Sequence, residues 1–455
     1  MSKTILGIDI GSTKICAIIA KKSNDGNLKI LGAGIAKSRG IKKGIITNID
    51  FASSSIKNAL NDAKRVAGTQ YETVIVSISG AYTKSVESVG VVNVPNNEIG
   101  IREINRALQM ADHNSNIPSD YEKLHILPYN FKVDGQEFIE DPLGMNGSRL
   151  EVQVHIITVQ KTSLNNLEKA VKLAGIKIDN IVLSGYASEI AVVNEDEREL
   201  GVVVIDIGGA TCNMIIHAGN SLRYNDFLGI GSNNITNDLS TALHTPLQAA
   251  DNIKINYGAL NNSSSELIEL PIIGDDASTH EVSLDIVSNV IYARVEETLM
   301  ILAKMFEDSG YKDQVGAGIV LTGGLTKIGG IRELTTAIFD NLPARVAKPK
   351  EMEGLFETLR DPSYSTAIGL VLYGGGYFTP YEIDSNKKLR YKNEIIEPQN
   401  NIQDTFTDES LKINSKKENI PSPKDKLAQL AVIDGENKKT TGFFSAFWNR
   451  LSQLF

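Results

Sequence analysis

A chain of 455 residues is long enough for two or three domains, each with its own hydrophobic core. Its hydrophobic content of 42% and charged content of 22% are ordinary for a globular protein. The formal net charge of −9 argues against nucleic acid as a partner, because phosphate binding needs a positively charged face.

Secreted, disulfide-stapled and membrane-spanning classes also fit the sequence poorly. The two cysteines, Cys16 and Cys212, cannot build a disulfide framework or a zinc site, and each lies in an apolar stretch where we expect a small buried side chain. The amino-terminal segment has no basic leader followed by a long apolar run, so no signal peptide is expected. No uncharged apolar run reaches about 18 residues, which predicts no membrane-spanning helix.

The first 80 residues predict an α/β unit. Residues 4–10 and 15–20 are β-rich apolar runs on either side of a turn at 11–14. Residues 48–67 have the apolar spacing of a helix, and residues 73–78 again resemble a strand.

From about residue 85 to residue 160 the pattern changes to that of a small α+β insertion. Short apolar segments at 89–94, 125–133 and 151–158 surround a helix near 102–111. The segments after the insertion predict, in order, a helix, a strand and a helix: 162–174, 178–183 and 187–193.

The opening pattern returns at residue 200. Residues 202–207 resemble an apolar strand that is followed by a turn and a returning strand. Segment 8–14 reads Ile-Asp-Ile-Gly-Ser-Thr-Lys, and segment 205–211 reads Ile-Asp-Ile-Gly-Gly-Ala-Thr. An internal repeat about 200 residues apart predicts two similarly folded domains.

The last part of the body is predicted to hold a helix at 284–309, a strand at 317–321, a helix at 330–339 and a closing helix at 364–373. Residues 383–441 are rich in Asn, Lys, Glu, Asp, Ser and Pro and contain few aromatic residues. Such a composition cannot bury enough apolar surface to fold, so it predicts a disordered tether whose mean span is on the order of 40 Å.

Each repeated segment has the chemistry of a phosphate-binding turn. An apolar strand delivers Asp9 or Asp206 to its carboxyl end, where open α/β sheets bind ligands. The glycine and hydroxyl residues that follow let backbone N–H groups surround phosphate oxygens. The two carboxylates could face one Mg²⁺ through water. A single copy would more simply be a tight hairpin turn, but two matched copies and the later Gly323-Gly324 favour the phosphate site.

At these residues the chain resembles the actin-like ATPase superfamily, whose fold is a duplicated, ribonuclease H-like α/β domain. The two turns match its phosphate loops, 321–324 matches its adenosine motif, and 229–232 resembles its adjoining glycine turn. Lys254 matches a nucleoside-contacting lysine, and Asp251 stands where Glu is usual. The resemblance implies that the chain binds ATP and Mg²⁺, with Asp9 and Asp206 holding the metal through water. The implied ATP contacts are Asp9, Gly11, Ser12, Thr13, Lys14, Asp206, Gly208, Gly209, Thr211, Gly231, Asp251, Lys254, Gly323 and Gly324.

Within that superfamily the chain is similar to the FtsA family of bacterial cell-division proteins over roughly residues 3–380. Segments 196–201, 318–324 and 364–370 carry the similarity, and the insertion matches the FtsA-type subdomain IC, which replaces subdomain IB of other actins. The implied boundaries are IA at 1–84 and 161–199, IC at 85–160, IIA at 200–237 and 313–382, IIB at 238–312, a disordered linker at 383–441 and an amphipathic helix at 442–455.

The resemblance also bears on hydrolysis. Relatives that turn over ATP place a Gln or Glu to orient the attacking water, whereas the matching place here holds Gly185 or Tyr186. Glu189 comes a few residues too late, although a shift of one helical turn would bring it nearer. We therefore expect tight ATP binding with slow or absent hydrolysis.

Residues 442–455, GFFSAFWNRLSQLF, predict a short amphipathic helix. At about 100° per residue its apolar side chains fall within an arc of roughly 140°, as in helices that lie in a bilayer interface. The alternative is docking on the body or on a partner, which would not require a long tether. The predicted lipid-facing residues are Phe443, Phe444, Phe447, Trp448, Leu451, Leu454 and Phe455.

Members of the FtsA family attach the tubulin-like protein FtsZ to the membrane and grip its C-terminal peptide with subdomain IIB. Arg294 and Glu297, in the helix predicted at 284–309, match positions that contact this peptide in the family. From the sequence alone they could instead form a solvated ion pair one helical turn apart.

The resemblance thus implies an ATP-binding, self-assembling adaptor that anchors the FtsZ ring to the cytoplasmic face of the cell membrane at the septum. Subdomain IC is expected to supply filament contacts and to recruit later division proteins. The alternatives are a PilM-like pilus-assembly scaffold, a sugar kinase and a heat-shock-type chaperone. A kinase would need a carboxylate base beside an acceptor pocket, and a chaperone a β-rich domain after residue 380. The terminal helix after a long tether favours the FtsA family over PilM.

Overall fold

The computed structural model describes residues 3–219, 221–260, 265–391 and 394–396. The terminal helix predicted at 442–455 and the part of the predicted linker after residue 396 lie outside the described residues. Described helices and strands are numbered below in chain order.

The first domain is a mixed sheet in the order β11–β6–β1–β2–β3 with helices packed on it. Its first helix begins at Asn48, whose side chain accepts a hydrogen bond from the backbone N–H of Phe51, and ends at Gly68 in the left-handed conformation. The elements before the insertion are β1 (Lys3–Ile10), β2 (Lys14–Lys22), β3 (Leu28–Lys37), β4 (Ile41–Lys42), β5 (Ile45–Ile46), α1 (Ile49–Ala67) and β6 (Thr73–Ile78).

The insertion is a separate sheet with one long helix and its own core. Helix α2 buries Ile104 and Leu108 against strand residues such as Val152, so the layer has its own hydrophobic cluster. Its elements are β7 (Thr83–Asn93), α2 (Ile101–Asn114), β8 (Tyr121–Val133), β9 (Gln136–Ile139) and β10 (Arg149–Gln160). The chain then returns to the first domain through α3 (Lys161–Leu173), β11 (Asn180–Leu183), α4 (Ser184–Val192) and α5 (Glu195–Leu200).

The second domain contains a sheet in the order β14–β13–β12–β17–β18 and a helical lobe with a two-stranded ribbon. The elements of the sheet and the lobe are β12 (Val202–Ile207), β13 (Cys212–Ala218), β14 (Ser221–Leu228), α6 (Ser232–Ala242), α7 (Leu247–Tyr257), β15 (Leu267–Ile272), β16 (Asp275–Ser283), α8 (Leu284–Asp308), β17 (Gly318–Thr322), α9 (Ile331–Ile338) and β18 (Ala344–Val346). The last described elements are α10 (Ser365–Gly375), β19 (Glu382–Ile383), β20 (Leu389–Tyr391) and β21 (Glu394–Ile396).

The two sheets confirm the duplication that the repeat predicts. In each, three antiparallel strands are followed by two parallel ones, so that β1, β2, β3, β6 and β11 correspond to β12, β13, β14, β17 and β18. The register matches too, because Asp9 pairs with Cys16 and Asp206 pairs with Asn213. Both repeated aspartates therefore stand at the same place of the same sheet.

The prediction that a disordered linker begins at residue 383 is wrong. Strands β19 and β20 pair with each other, β19 pairs with β8, and Ile383 and Leu389 are buried in the core of the insertion. These strands are only two and three residues long, so no periodic pattern in the sequence indicates them. Hydrogen bonding to a preformed strand of the insertion stabilises them instead.

A buried polar cluster fixes this segment to the first domain. One carboxylate oxygen of Glu382 lies 2.7 Å from Nδ1 of His125 and accepts a hydrogen bond of 2.8 Å from the Tyr373 hydroxyl. The other accepts a hydrogen bond of 3.2 Å from Tyr186. Because a buried carboxylate is costly unless its oxygens are paired, these contacts hold the insertion, the closing helix and β19 together.

The insertion also contacts the second domain through Asn225 on β14. The Ser85 hydroxyl donates to Oδ1 of Asn225 over 2.8 Å, and Nε2 of His155 lies 3.2 Å from the same oxygen. The Asn225 amide nitrogen in turn donates to the hydroxyl of Thr83 over 3.3 Å. The insertion therefore bridges the two repeated domains.

Cys16 and Cys212 are buried, as the sequence predicts, and burial raises the pKa of the Cys16 thiol to about 12. Such a thiol stays protonated and unreactive at neutral pH. None of the helices in the described part of the chain combines the length and apolar character that crossing a bilayer requires.

Candidate functional site

The two Asp-Gly turns open onto one cleft between the repeated domains. The cleft encloses about 370 Å³, and Asp9 and Asp206 line it from opposite sides. Of the predicted nucleotide contacts only Gly231 does not line it; a Cβ there would lie 2.6 Å from the backbone nitrogen of Ala210, so Gly231 lets α6 start directly behind the second turn. The predicted residues that line the cleft are Asp9, Gly11, Ser12, Thr13, Lys14, Asp206, Gly208, Gly209, Thr211, Asp251, Lys254, Gly323 and Gly324.

Both turns are built by the same backbone hydrogen bond. The N–H of Gly11 donates to the carbonyl of Lys14 over 3.1 Å, and the N–H of Gly208 donates to the carbonyl of Thr211 over 2.8 Å. A Cβ on Gly209 would lie 1.8 Å from the hydroxyl of Thr13. Glycine at this position therefore lets the two turns approach each other across the cleft.

Hydroxyl groups orient the two carboxylates. Asp9 accepts a hydrogen bond of 2.9 Å from the Ser77 hydroxyl. The same hydroxyl accepts a hydrogen bond from the backbone N–H of Ile10, the residue after Asp9. Asp206 accepts hydrogen bonds from Ser188 on α4 and Thr366 on α10. Each aspartate is thus fixed by partners that lie far from it in the sequence.

Burial raises the pKa of Asp9 to about 6, the hydrogen bond from Ser77 opposes this shift, and the negative charge of Asp206 adds to it. Burial likewise raises the pKa of Asp206, against its hydrogen bonds from Ser188 and Thr366. Two carboxylates that repel each other in a water-poor cleft form a site that favours a cation.

Lys14 provides the positive charge of the first turn. Its ammonium donates to the hydroxyl of Ser363 over 2.6 Å and lies 3.5 Å from the centre of the Tyr364 ring. Burial lowers the pKa of this ammonium, while the neighbouring Asp9 opposes that shift. Lys14 can therefore meet an anionic group in the cleft beside the two carboxylates.

The third glycine motif closes the cleft above Asp206. Gly323 has a φ of +92°, and a Cβ there would lie 2.4 Å from a carboxylate oxygen of Asp206 and 2.5 Å from the carbonyl of Ile207. Only glycine fits such a close approach. Gly324 follows with room for a flat group beside its backbone, because its nearest neighbour would be the Cβ of Ser363 at 3.5 Å.

Asp251 and Lys254 form the wall contributed by α7. The Lys254 ammonium donates to Asp251 over 2.6 Å and to the hydroxyl of Thr236 over 2.7 Å. Partial burial favours the neutral acid, but the hydrogen bonds from Lys254 and Thr236 lower the pKa of Asp251 overall. Asp251 therefore presents a charged carboxylate to this end of the cleft, which can accept hydrogen bonds from ribose hydroxyls.

The donor set suits a Mg²⁺ that arrives with a phosphate ligand. Across residues 3–219, 221–260, 265–391 and 394–396, no three His, Cys, Asp or Glu side chains form a ready metal site. A Mg²⁺ at Asp9 and Asp206 would complete its shell with phosphate oxygens and water, as this ion commonly does. The metal would neutralise the charge that the triphosphate and the two carboxylates bring together.

Two side chains of the segment discussed for hydrolysis, Tyr186 and Glu189, point away from the cleft. Tyr186 is buried and its hydroxyl contacts Thr379 and Glu382. Glu189 is fully buried, does not line the cleft, and accepts a hydrogen bond of 2.9 Å from Arg198. The idea that a small shift of α4 would bring Glu189 to the site has no support in this geometry.

The sequence analysis missed several residues that line the cleft. Asn213 follows the second turn on β13, and alternation along the strand from Thr211 could have identified it. Ser79, Ser184 and Lys327 also line the cleft. They come from segments whose proximity depends on the packing of separate strands, so no local pattern identifies them.

Arg294 and Glu297 lie away from the cleft, on α8. Both are buried, at 7% and 6% exposure, so the reading as a solvated ion pair is wrong. Arg294 contacts Glu297 and binds both carboxylate oxygens of Asp238 on α6, one over 3.0 Å and the other over 2.5 Å. A contact of these side chains with a peptide stays a prediction.

Comparison with known proteins identifies the family. The family model "Cell division protein FtsA" matches residues 203–369, and "SHS2 domain inserted in FTSA" matches residues 80–158, which is the insertion. The cell division protein FtsA of Helicobacter pylori strain J99 is 38% identical over 492 aligned positions, covering 99% of this chain and 99% of that protein.

Solved structures share the fold. A PilM–PilN type IV pilus biogenesis complex has a chain that aligns with a TM-score of 0.58 at 17% identity, over 82% of this chain and 98% of that one. MreB 5 of Spiroplasma citri bound to AMPPNP aligns with a TM-score of 0.50 at 12% identity, over 82% and 96%. At such identities these likenesses show the actin-like fold alone. Together with the relative of nearly full length, the duplicated domains and the matched insertion show that this chain belongs to the FtsA family of cell division proteins.

Proposed function

We propose that this division protein binds ATP with Mg²⁺ in the cleft and acts as an adaptor that links FtsZ to the membrane. The observation that carries the nucleotide part is the pair of equivalent turns, in which Asp9 and Asp206 line one cavity from two domains. Two glycine turns, one lysine and two carboxylates are the groups that a magnesium triphosphate needs. MreB 5, which shares the fold, is bound to AMPPNP and supports the same class of ligand.

Slow hydrolysis follows from what lines the cleft. Among the described lining residues, Asp9, Asp206 and Asp251 carry carboxylates, and the first two are the proposed metal-facing groups. Asp251 belongs to the nucleoside wall, beside Lys254. A general base positioned for the attacking water is therefore missing from the described lining, and we expect the site to hold ATP longer than it cleaves it.

Nucleotide binding is tested by isothermal titration of the full chain with ATP and with ADP, each with Mg²⁺, beside Asp206→Asn. The wild-type protein should bind both, and the variant should bind ATP at least about tenfold more weakly because a charged group near the metal is lost. Asp25→Asn, at an exposed turn, is the matched control. Equal affinities in wild type and Asp206→Asn would reject the site, and a turnover of many ATP per second would reject slow hydrolysis.

The adaptor role adds two binding surfaces, the lipid-facing residues of segment 442–455 and the FtsZ-binding lobe around α8. One short amphipathic helix binds lipid reversibly, so self-assembly that presents several such helices together would strengthen attachment steeply. Filament formation and membrane attachment are thereby coupled. Subdomain IC would contribute filament contacts and recruit later division proteins.

Co-sedimentation with anionic liposomes tests the membrane part. Full-length protein should pellet with vesicles, and protein truncated before Gly442 should stay in the supernatant. Trp448→Glu is a finer variant, because it places a charge on the apolar face without shortening the chain. Pelleting of the truncated protein to the full-length extent would refute the anchor.

The FtsZ part is tested with a C-terminal FtsZ peptide. Arg294→Glu should weaken peptide binding while ATP affinity is unchanged, since Arg294 does not line the cleft. Because three carboxyl groups would then meet at a buried place, the variant is first checked for folding by circular dichroism. Unchanged peptide affinity in a folded variant would refute the assignment.

A further inference from the structure

We infer that Asn213 contacts the terminal phosphate of the bound nucleotide and makes the cleft distinguish a nucleoside triphosphate from a diphosphate. This inference rests on the proposed binding of ATP. It assigns recognition of the terminal phosphate, the group that hydrolysis removes, to the side-chain amide of Asn213.

Asn213 is a buried side chain whose amide oxygen has no hydrogen-bond partner among the described residues. It is 7% exposed, and its Oδ1 is buried and accepts no hydrogen bond from the described residues. The side chain nevertheless lines the cleft. Native proteins pair nearly all buried polar side-chain atoms, so an unpaired amide oxygen at the wall of a ligand cavity indicates that a ligand or its water completes the pairing.

Strand register places this amide beside the proposed metal site. Asn213 on β13 is directly opposite Asp206 on β12, and opposed residues of antiparallel strands project to the same face. Thr211, which ends the second turn, lies two residues earlier and therefore also projects to that face. Asn213 thus extends the phosphate-binding surface beyond the turn.

The cleft has two chemically different ends. Asp251, Lys254 and Gly258 line one end, and a Cβ on Gly258 would lie 3.7 Å from the side chain of Ile328, which gives this end an apolar wall for a base. The terminal phosphate is the part of the nucleotide farthest from its base. It would therefore lie at the other end, past the two turns.

That other end is lined by hydroxyls and the Asn213 amide, and two glycines that do not line the cleft pack closely against Asn213. A Cβ on Gly80 would lie 3.0 Å from Oδ1 of Asn213, and a Cβ on Gly185 would lie 3.2 Å from the Asn213 Cβ. Ser79 and Ser184 line the cleft here as well. With no Cβ on either glycine, the Asn213 side chain fits at this wall, where an amide offers a ligand both an NH₂ donor and a carbonyl acceptor.

The chemistry of an amide allows it to recognise a phosphate but not to remove a proton from water. Its NH₂ can donate to an oxygen of the terminal phosphate, and its carbonyl oxygen can accept from a water that this phosphate or the metal holds. At neutral pH an amide does not take a proton from water, so Asn213 does not act as a general base. Diphosphate nucleotides lack the group that it would contact.

The test compares ATP and ADP affinities of the full chain by isothermal titration with Mg²⁺. Asn213→Ala should weaken ATP binding about tenfold or more, because a hydrogen bond to a charged group is lost, and should change ADP binding less than about twofold. Asn213→Asp has the same shape and places a negative charge near the phosphate, so it should weaken ATP binding at least as much. Asn252→Ala, on the exposed surface of α7, is the control and should change neither affinity.

The outcomes separate this inference from the proposed function. Wild-type protein that binds neither nucleotide would overturn both. Wild-type protein that binds both, with Asn213→Ala and Asn213→Asp changing ATP and ADP affinities equally or not at all, would overturn the role of Asn213 alone. A selective loss of ATP affinity in both variants supports it, and the retained ADP affinity shows that the variants are folded.

Discussion

Asp9 and Asp206 stand at equivalent strand positions, yet different neighbours hold them. Asp9 is supported within the first domain by Ser77, whereas Asp206 is supported by Ser188 and Thr366, from α4 and α10. The duplication thus copies the backbone of the turn and leaves the supporting hydroxyls to differ. Changes at each aspartate should therefore have separate effects on stability.

The raised pKa of Asp9 makes a prediction about pH. Folding raises this pKa from 3.8 to about 6, so the folded protein binds the proton more tightly than the unfolded chain. Stability that depends on this proton is full below pH 3.8 and is lost as the pH rises through about 6. In nucleotide-free protein, Asp9→Asn should raise the free energy of unfolding by up to about 3 kcal/mol at neutral pH and by little near pH 4.

Chemical denaturation of both proteins at several pH values measures this gain. Asp25→Asn at an exposed turn should show no such trend. Asp9→Asn that is no more stable than wild type at neutral pH would show that the buried charge carries no penalty.

Gly323 allows a comparison with its own neighbour. Its φ of +92° and a Cβ position 2.4 Å from an oxygen of Asp206 predict that Gly323→Ala loses about 2 kcal/mol or more of stability and weakens ATP binding. Gly324→Ala has no such φ, and its Cβ would meet only the Cβ of Ser363 at 3.5 Å, so its stability should be nearly unchanged. Thermal unfolding with and without MgATP measures both, and equal melting temperatures would contradict the steric argument.

At this scale, the sequence predicts residues whose role is local. The two Asp-Gly turns and Gly323 are recognisable because strand, aspartate and glycine follow one another in the chain. Asn213 and Lys327 could not be assigned in this way. Their place in the cleft depends on which strand lies opposite and on how a separate short helix packs.

Helices α6 and α8 are joined by a buried ionic contact. Asp238 on α6 binds Arg294 on α8 through both carboxylate oxygens, and Glu297 contacts the same guanidinium. Such a network holds two helices in one register, because each charge is stable there only when paired. The contact defines the helical lobe that we propose for FtsZ.

Removal of Asp238 tests whether this contact is structural. Asp238→Ala removes the carboxylate that binds the buried Arg294 through two oxygens and should cost about 3 kcal/mol of unfolding free energy. Glu307→Ala, at an exposed position of α8, should cost less than about 0.5 kcal/mol. Urea denaturation measures both, and a cost of only a few tenths of a kcal/mol for Asp238→Ala would show that the buried contact contributes little to stability.

Long amphipathic helices and apolar strands could be read from the sequence, as α1, α8 and β12 show. The short strands β19 and β20 could not be, since their stability comes from β8 and from the buried Glu382 rather than from their own apolar pattern. Elements that are stabilised mainly by contacts with distant segments show no apolar periodicity in their own sequence.

Up to residue 396, the described part of the molecule is two repeated domains with a cleft between them and an insertion that contacts both. Besides the Asn225 contacts, the guanidinium of Arg223 on β14 lies 3.7 Å from the centre of the Tyr129 ring and 5.5 Å from that of Tyr311. The Tyr311 hydroxyl donates to Glu87 on β7 over 2.9 Å. The repeat predicted the two domains, whereas nothing in the sequence indicated that the insertion spans them.

Removing the ring contacts of Arg223 should weaken the attachment of the insertion to the second domain. Arg223→Ala removes both ring contacts, worth about 1–2 kcal/mol in a partly buried place, and should speed amide hydrogen exchange in β7 and β8 while the sheet of the first domain is unaffected. Arg149→Ala, an exposed arginine of β10, is the control. Unchanged hydrogen exchange in the insertion would show that the Arg223 contacts do not stabilise its attachment to the second domain.

The strands β19, β20 and β21 have a mechanical consequence. They form one edge of the insertion's sheet, and the remainder of the chain continues from β21. Tension on the carboxyl-terminal end therefore reaches this edge first, then the strand beside His125, and only afterwards the closing helix. A force applied to the chain beyond residue 396 is therefore resisted first by the hydrogen bonds that join β19, β20 and β21.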